Sequence, residues 1–293
     1  MTQMNSSVSS VANRKENMPH QPFLCTNCGF WQTHFEPPTS CPVCLDFRHT
    51  PPADRWEFWD LDEVRSRTST RFETDLDASV ITFWNEPAVG IGTRGYLILH
   101  PEGAVFWDGC AFYDAAALQE IARLSEGNLT WLSASHPHAY GALWQLQSRF
   151  GARVAIPVAD LGWTNAFAVS YPFNERLELT PGLEIIQTGG HFDGHCVLYW
   201  RPKKALFAGD LLKFHYQDGQ LNGLSTHKAF NRQIPMSHAE IRAYRAALEN
   251  LDFERVWTSF DSEMCSRADI FRLFDAQLAG APFPTPIPFG GRE

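Results

Sequence analysis

The hydrophobic pattern changes character along the chain. From about residue 79, apolar positions fall into short β-rich runs at 80–84, 96–100 and 104–107, separated by glycine and proline. Residues 114–125 then carry Leu118, Ile121, Ala122 and Leu124 at helical spacing. A strand is predicted at 129–132, a helix at 141–150 and a strand at 153–156, followed by strands at 183–186, 197–200 and 205–207. Ser237 and Glu240 form a capping-box pair that opens a helix running to about 251. A last strand follows at 255–257, and Ser266 with Asp269 opens a last helix. Strands followed by alternating strands and helices, twice over, predict an α/β domain over 79–281, with two sheets face to face and helices outside.

The stretch ahead of this domain has a different composition. Residues 22–50 are short, proline-rich and cysteine-bearing, too small to bury a core without a staple. Residues 51–78 read as a linker whose aromatics, among them Trp56 and Trp59, dock on the main domain. Residues 1–21 are polar and rich in Ser and Asn, with no apolar run of a secretory signal, and are expected to be a disordered tail. Residues 282–293 read as an irregular Pro/Gly-rich tail.

Composition narrows the classes of partner. The chain has 293 residues, is 44% hydrophobic and carries 10 Trp and 22 Phe, enough for a large aromatic core. A formal net charge of −9 with no basic cluster argues against nucleic acid or an anionic membrane as partner. No apolar run approaches the ~18 residues of a membrane span. A cytoplasmic protein acting on a small molecule is expected, with homo-oligomerisation left open. Of 7 cysteines, four are paired as Cys25/Cys28 and Cys41/Cys44. Without an export signal, such pairs favour a metal over disulfides. Cys110, Cys196 and Cys265 are scattered and read as small buried hydrophobes.

The two pairs have the spacing of a tetrahedral four-thiolate site. Gly29 and Pro42 suit the tight turns at its knuckles. Zinc is the expected ion, in a structural role; iron in the same cage, as a one-electron carrier, is the alternative. The segment resembles zinc ribbons and also the rubredoxin-like module of rubrerythrins. His34 and His49 flank the cage and read as surface histidines.

A second cluster is assembled from strand ends. His136-Pro137-His138 follows the strand at 129–132, His191 to His195 follow 183–186, and Gly209-Asp210 follow 205–207. Loops leaving strand ends along one edge converge there. Proline biases His136 to an extended backbone, in which residues two apart point the same way, so both imidazoles face one ion. Each histidine alone reads as a core residue; three motifs in this order read as a metal site.

With Trp107-Asp108-Gly109 after an early strand, these motifs make the segment resemble the metallo-β-lactamase-fold superfamily. The resemblance implies an αββα sandwich in which His136, His138 and His191 ligate one metal. It further implies that Asp210 is the bridging carboxylate, that Asp108 is an acid orienting a ligand, and that His195 supports the loop. The chain departs from that family's His-x-His-x-Asp-His motif at Tyr140 and Gly141, and it lacks the usual final histidine near 257–261. Asp261, His215 and His227 are the candidates to replace the missing ligands of a second metal.

The reaction expected is hydrolysis of an ester, lactone, thioester or phosphoester by a zinc-activated water. Tyr140 is expected to donate to the developing oxyanion, and Asp210 or Asp193 to shuttle the proton. The rival expectations are an oxidoreductase, similar to flavodiiron proteins, with iron in both sites, and a non-catalytic binding protein.

Overall fold

The computed structural model describes residues 20–75, 78–283 and 285–289. A seven-stranded sheet runs in the order Tyr171–Phe173, Arg153–Pro157, Leu129–Ser133, Ala104–Trp107, Gly95–Ile98, Val80–Glu86, Ser69–Thr74. A six-stranded sheet runs Arg176–Thr180, Leu183–Gln187, Cys196–Trp200, Ala205–Gly209, Arg255–Thr258, Ser262–Met264. Their facing sides share a core of Tyr96, Val105, Trp107 and Trp131 against Ile185, Leu198, Phe207 and Trp257. Helices Ala115–Leu124 and Leu143–Phe150 cover the outer face of the first sheet, and His238–Leu248 with Arg267–Leu278 that of the second. This is the αββα sandwich expected. Both capping boxes, at Ser237/Glu240 and Ser266/Asp269, form as read.

The elements that the sequence pattern did not show are short or polar. Within the stretch expected to be a linker, residues 58–74 form regular structure. Phe58–Trp59 pairs with Gln21–Cys25 in the cysteine module, Leu61–Arg67 is a capped helix, and Ser69–Thr74 is the edge strand of the seven-stranded sheet. That strand buries only Thr70, so it lacks an alternating apolar signal. A hairpin that the apolar pattern does not show, Lys213–Gln217 with Gln220–Ser225, follows Asp210. In the C-terminal stretch read as a tail, Ile287 exchanges backbone hydrogen bonds with Leu224. Of residues 1–21, all but His20 and Gln21 lie outside the described residues, and Gln21 opens a strand.

The cysteine module is not a loose satellite. Its sheet is Trp31–His34, Gln21–Cys25, Phe58–Trp59. Leu24, Phe30, Trp31 and Val43 merge with Val89, Ala111 and Leu143 in one core. Trp31 donates its indole N–H to the Ala111 carbonyl (2.7 Å). Gly90, in the left-handed region at φ +63°, is seated directly on the first knuckle. A Cβ there would lie 2.3 Å from Gly29 N and 2.4 Å from the Cys28 carbonyl carbon. Only glycine allows this approach.

Candidate metal centre

The four thiols of the module are buried and unbridged, with Cys25 Sγ 3.8 Å from Cys44 Sγ and Cys28 Sγ 3.6 Å from Cys41 Sγ. An ion with tetrahedral metal–sulfur bonds of ~2.3 Å separates its sulfurs by about 3.8 Å. The cage therefore has the dimensions of a metal site rather than of disulfides.

In the main domain, donor atoms of His136, His138, His191 and Asp210 all lie within 4.8 Å of one another. His191 Nε2 stands 3.4 Å from His138 Nδ1 and 3.7 Å from Asp210 Oδ2, and His136 Nε2 stands 3.5 Å from Asp210 Oδ2. Zinc bonds of about 2.0–2.1 Å in a tetrahedron place nitrogen and oxygen donors about 3.4 Å apart. His136 Nε2 is buried with no hydrogen-bond partner, a state that a buried polar atom avoids unless something else satisfies it. The donor set, its spacing and this orphaned nitrogen fit a single metal ion.

The local chain explains the convergence, with one correction. His136 is extended (φ −169°, ψ 169°), as the following proline requires. Pro137 then starts a 3₁₀ turn, Pro137–Ala139, because its fixed φ suits a first helical position. His138 thus reaches the ion from a turn, not from the same face of a strand. Gly209 is needed beside it: a Cβ at that position would lie 2.4 Å from Ser135 Oγ. At Gly190 a Cβ would lie 2.7 Å from the Tyr244 ring, whose hydroxyl accepts the His191 N–H at 3.1 Å.

Two of the imidazoles are held by hydrogen bonds that also fix which nitrogen faces inward. Ser135 Oγ donates to Asp108 Oδ1 (2.8 Å), so His136 Nδ1–H donates to Ser135 Oγ (2.8 Å) and leaves Nε2 as the ligand atom. Asp108 is linked to His136 through Ser135, which the sequence did not mark. His191 Nδ1–H donates to the Lys228 carbonyl (2.6 Å) and leaves Nε2 inward. His195 stays outside the ligand set, its Nδ1 2.8 Å from Thr188 Oγ1, and braces the loop.

Burial sets the charges. It pushes His138 well below its ordinary value and His191 down to about 3, so both are neutral and ready to ligate. At Asp210 burial acts upward, but the imidazoles of His136, His191 and His138 clustered around it outweigh this and hold the carboxyl well below the usual range. Burial raises Asp108 to about 7.

The centre opens into a pocket of about 440 Å³. Its wall includes His227, Asp261, Lys213 and Phe230 from the main domain, and Arg48 and His49 from the cysteine module. His49 is buried, not on the surface; Arg48 and Lys213 carried no motif that singled them out. His34 is exposed, as expected.

Three expectations are corrected. Tyr140 is buried against Phe167 with its hydroxyl facing the Asp160 carbonyl (3.5 Å), outside the pocket wall, so it is not an oxyanion donor. Asp193 is 83% exposed and stands 3.8 Å from Arg48, outside the pocket wall, so it is not a proton shuttle within the site. His215 bonds Ser225 Oγ (2.7 Å) in the hairpin and does not replace a ligand. His227 and Asp261 line the pocket but lie outside the four-donor group. Gly141 leaves no room for a side chain: a Cβ there would lie 2.3 Å from the Cys110 carbonyl oxygen and 2.5 Å from that of Gly109. No side chain fits where the family motif carries its last histidine. Among the described residues, the cage and this cluster are the two groups able to hold a metal.

No family model matches the chain. YmaE of Bacillus subtilis (strain 168), described as an uncharacterized protein, is 26% identical over 260 residues, spanning 86% of this chain and 92% of its own length. Solved metallo-β-lactamases share the architecture at low identity. FIM-1 from Pseudomonas aeruginosa, in its mono-zinc form, aligns over 72% of this chain and 95% of its own, with a TM-score of 0.52 and 15% identity. The Pontibacter korlensis enzyme covers 70% and 99% respectively, with a TM-score of 0.52 and 17% identity. DIM-1 covers 72% and 99%, with a TM-score of 0.54 and 11% identity. Strand order, the site at the sheet edge and these neighbours agree: the chain has the metallo-β-lactamase fold, preceded by a four-cysteine module packed into its core.

Proposed function

We propose that the chain is a metal-dependent hydrolase with one ion in the main domain, acting on an ester, lactone, thioester or phosphoester. The observation that carries this reading is the convergence of His136, His138, His191 and Asp210 at a pocket open to solvent. That FIM-1 is known in a mono-zinc form supports a single-ion site on this fold.

When bound, the ion supplies an activated water and polarises the susceptible carbonyl or phosphoryl oxygen. The protein does the remainder. Its three imidazoles and the ionised Asp210 hold the ion. Two acids in the pocket are set apart: Asp210 is lowered by its imidazoles, while burial raises Asp261. Such a split assigns roles. Asp210 stays a ligand, and Asp261 carries the proton to the leaving group. Lys213 and Arg48 attract an anionic portion of the substrate, and Leu212, Phe214 and Phe230 take an apolar one.

The test is elemental analysis of the wild type and of His136→Ala, followed by turnover on a panel of lactones, thioesters and phosphodiesters. We expect two ions in the wild type, one in the variant, and turnover only with two. A wild type that holds one ion and hydrolyses nothing removes the reading, and a His136→Ala protein that keeps its function shows a binding role instead. An oxidoreductase is favoured by one observation, that His49 of the cysteine module meets the His138 ring at 5.3 Å and so brings the two sites together. Iron in both sites of the purified protein would select it.

A further inference from the structure

The cage and the histidine centre lie back to back, joined by residues 48–50. Asn27, within the first knuckle, donates to Cys44 Sγ (3.3 Å) and to the Thr50 carbonyl (2.9 Å). Asp46 accepts from the Arg48 backbone N–H and guanidinium, both at 2.9 Å. The segment is therefore tied to the cage, and the cage is seated on Gly90. From this base Arg48 lies over the Phe192 ring at 4.2 Å, and Phe192 in turn packs edge-on to His138 at 5.0 Å. His49 is buried, accepts the Thr50 N–H at Nδ1 (2.8 Å), and meets the His138 ring edge-to-face at 5.3 Å.

His138 needs such support more than its fellow ligands. His136 is fixed by Ser135 and His191 by the Lys228 carbonyl, whereas the outward nitrogen of His138, Nε2, has no hydrogen-bond partner. Its orientation is set by the rings around it. A ligand side chain held in place by packing loses less rotamer freedom when it binds.

We propose that His49 is a positioning residue for the histidine centre: the cysteine cage presents its ring as the wall that orients His138 toward its ion. This rests on the single-ion reading given above. The cage thereby acts as a clamp on the main-domain metal site.

The test uses the full chain, with main-domain zinc affinity measured by competition against a chromophoric chelator. Cage loading is followed separately, by cadmium–thiolate absorbance. His49→Ala is expected to keep the cage absorbance while main-domain affinity falls about tenfold or more, the range for loss of an outer support. His49→Phe restores a ring and is expected to stay within about threefold of wild type, as packing alone is at issue. Unchanged affinity in His49→Ala overturns the proposal, and so does a His49→Phe protein as weak as His49→Ala. If His49→Ala loses the cage absorbance, His49→Phe decides by the same criterion. A wild type with a loaded cage and no second ion overturns the histidine centre itself, and the proposal with it.

Discussion

Removing one hydroxyl at Ser135 should weaken the main-domain metal site without touching a ligand. Ser135 Oγ stands 2.8 Å from both Asp108 Oδ1 and His136 Nδ1 and is wholly buried. In Ser135→Ala the carboxylate keeps the Ser135 backbone N–H at 2.6 Å, but His136 Nδ1–H faces a methyl group. An unsatisfied buried donor costs about 1–3 kcal/mol, and loss of a ligand's supporting partner costs about 10–100-fold in metal affinity. Gly209→Ala should produce the same defect from the other side, since its new Cβ would lie 2.4 Å from Ser135 Oγ and displace it. The assays are chelator competition for affinity and urea unfolding of the apoprotein for stability. If Ser135→Ala binds zinc within twofold of wild type and unfolds at the same urea midpoint, the Asp108–Ser135–His136 relay carries no weight and the assignment of Nε2 as ligand atom loses its basis.

Three more outcomes follow from the geometry. Gly90→Ala forces a left-handed backbone, at roughly 1–2 kcal/mol, and pushes a Cβ into Cys28 and Gly29; limited proteolysis should then cut within 20–60 while the main domain resists, and an unchanged digestion pattern refutes tight seating. Burial holds His227 down at about 4, so the unfolded chain binds the extra proton as pH falls below 6.5; the apoprotein should lose on the order of 3 kcal/mol between pH 6.5 and 4 from this group, and His227→Gln should flatten that slope in urea titrations. Chelator treatment should lower the melting temperature, since ligand at 100 times its dissociation constant adds about 2.7 kcal/mol, and identical melting with and without chelator would show that the native state binds no ion.

The main elements were legible where burial leaves a pattern in the sequence. Helix Ala115–Leu124 repeats apolar residues at helical spacing, the core strands are continuous apolar runs because both their faces are buried, and the capping boxes name their own helix starts. The edge strand Ser69–Thr74 and the hairpin after Asp210 gave no such pattern, because exposed strands bury few positions. Among site residues, the ligands were legible because imidazoles, thiols and a carboxylate stood in motifs at predicted strand ends. Ser135, Arg48 and His49 were not, because their roles come from what they touch and not from spacing.

The sequence alone determined the donor chemistry: four cysteines in two pairs, three histidines and an aspartate beside glycines that allow close backbone approach. Those facts are local, carried by residue type and separation along the chain. Only the tertiary structure decided that Tyr140 and Asp193 face away from the pocket, that Gly141 has no room for a side chain, and that the cage sits against the histidine centre through His49. Those depend on contacts between segments far apart in the chain, such as Gly90 with Cys28 and His49 with His138. No local period or motif encodes such contacts; they follow from how the sheets and the module pack.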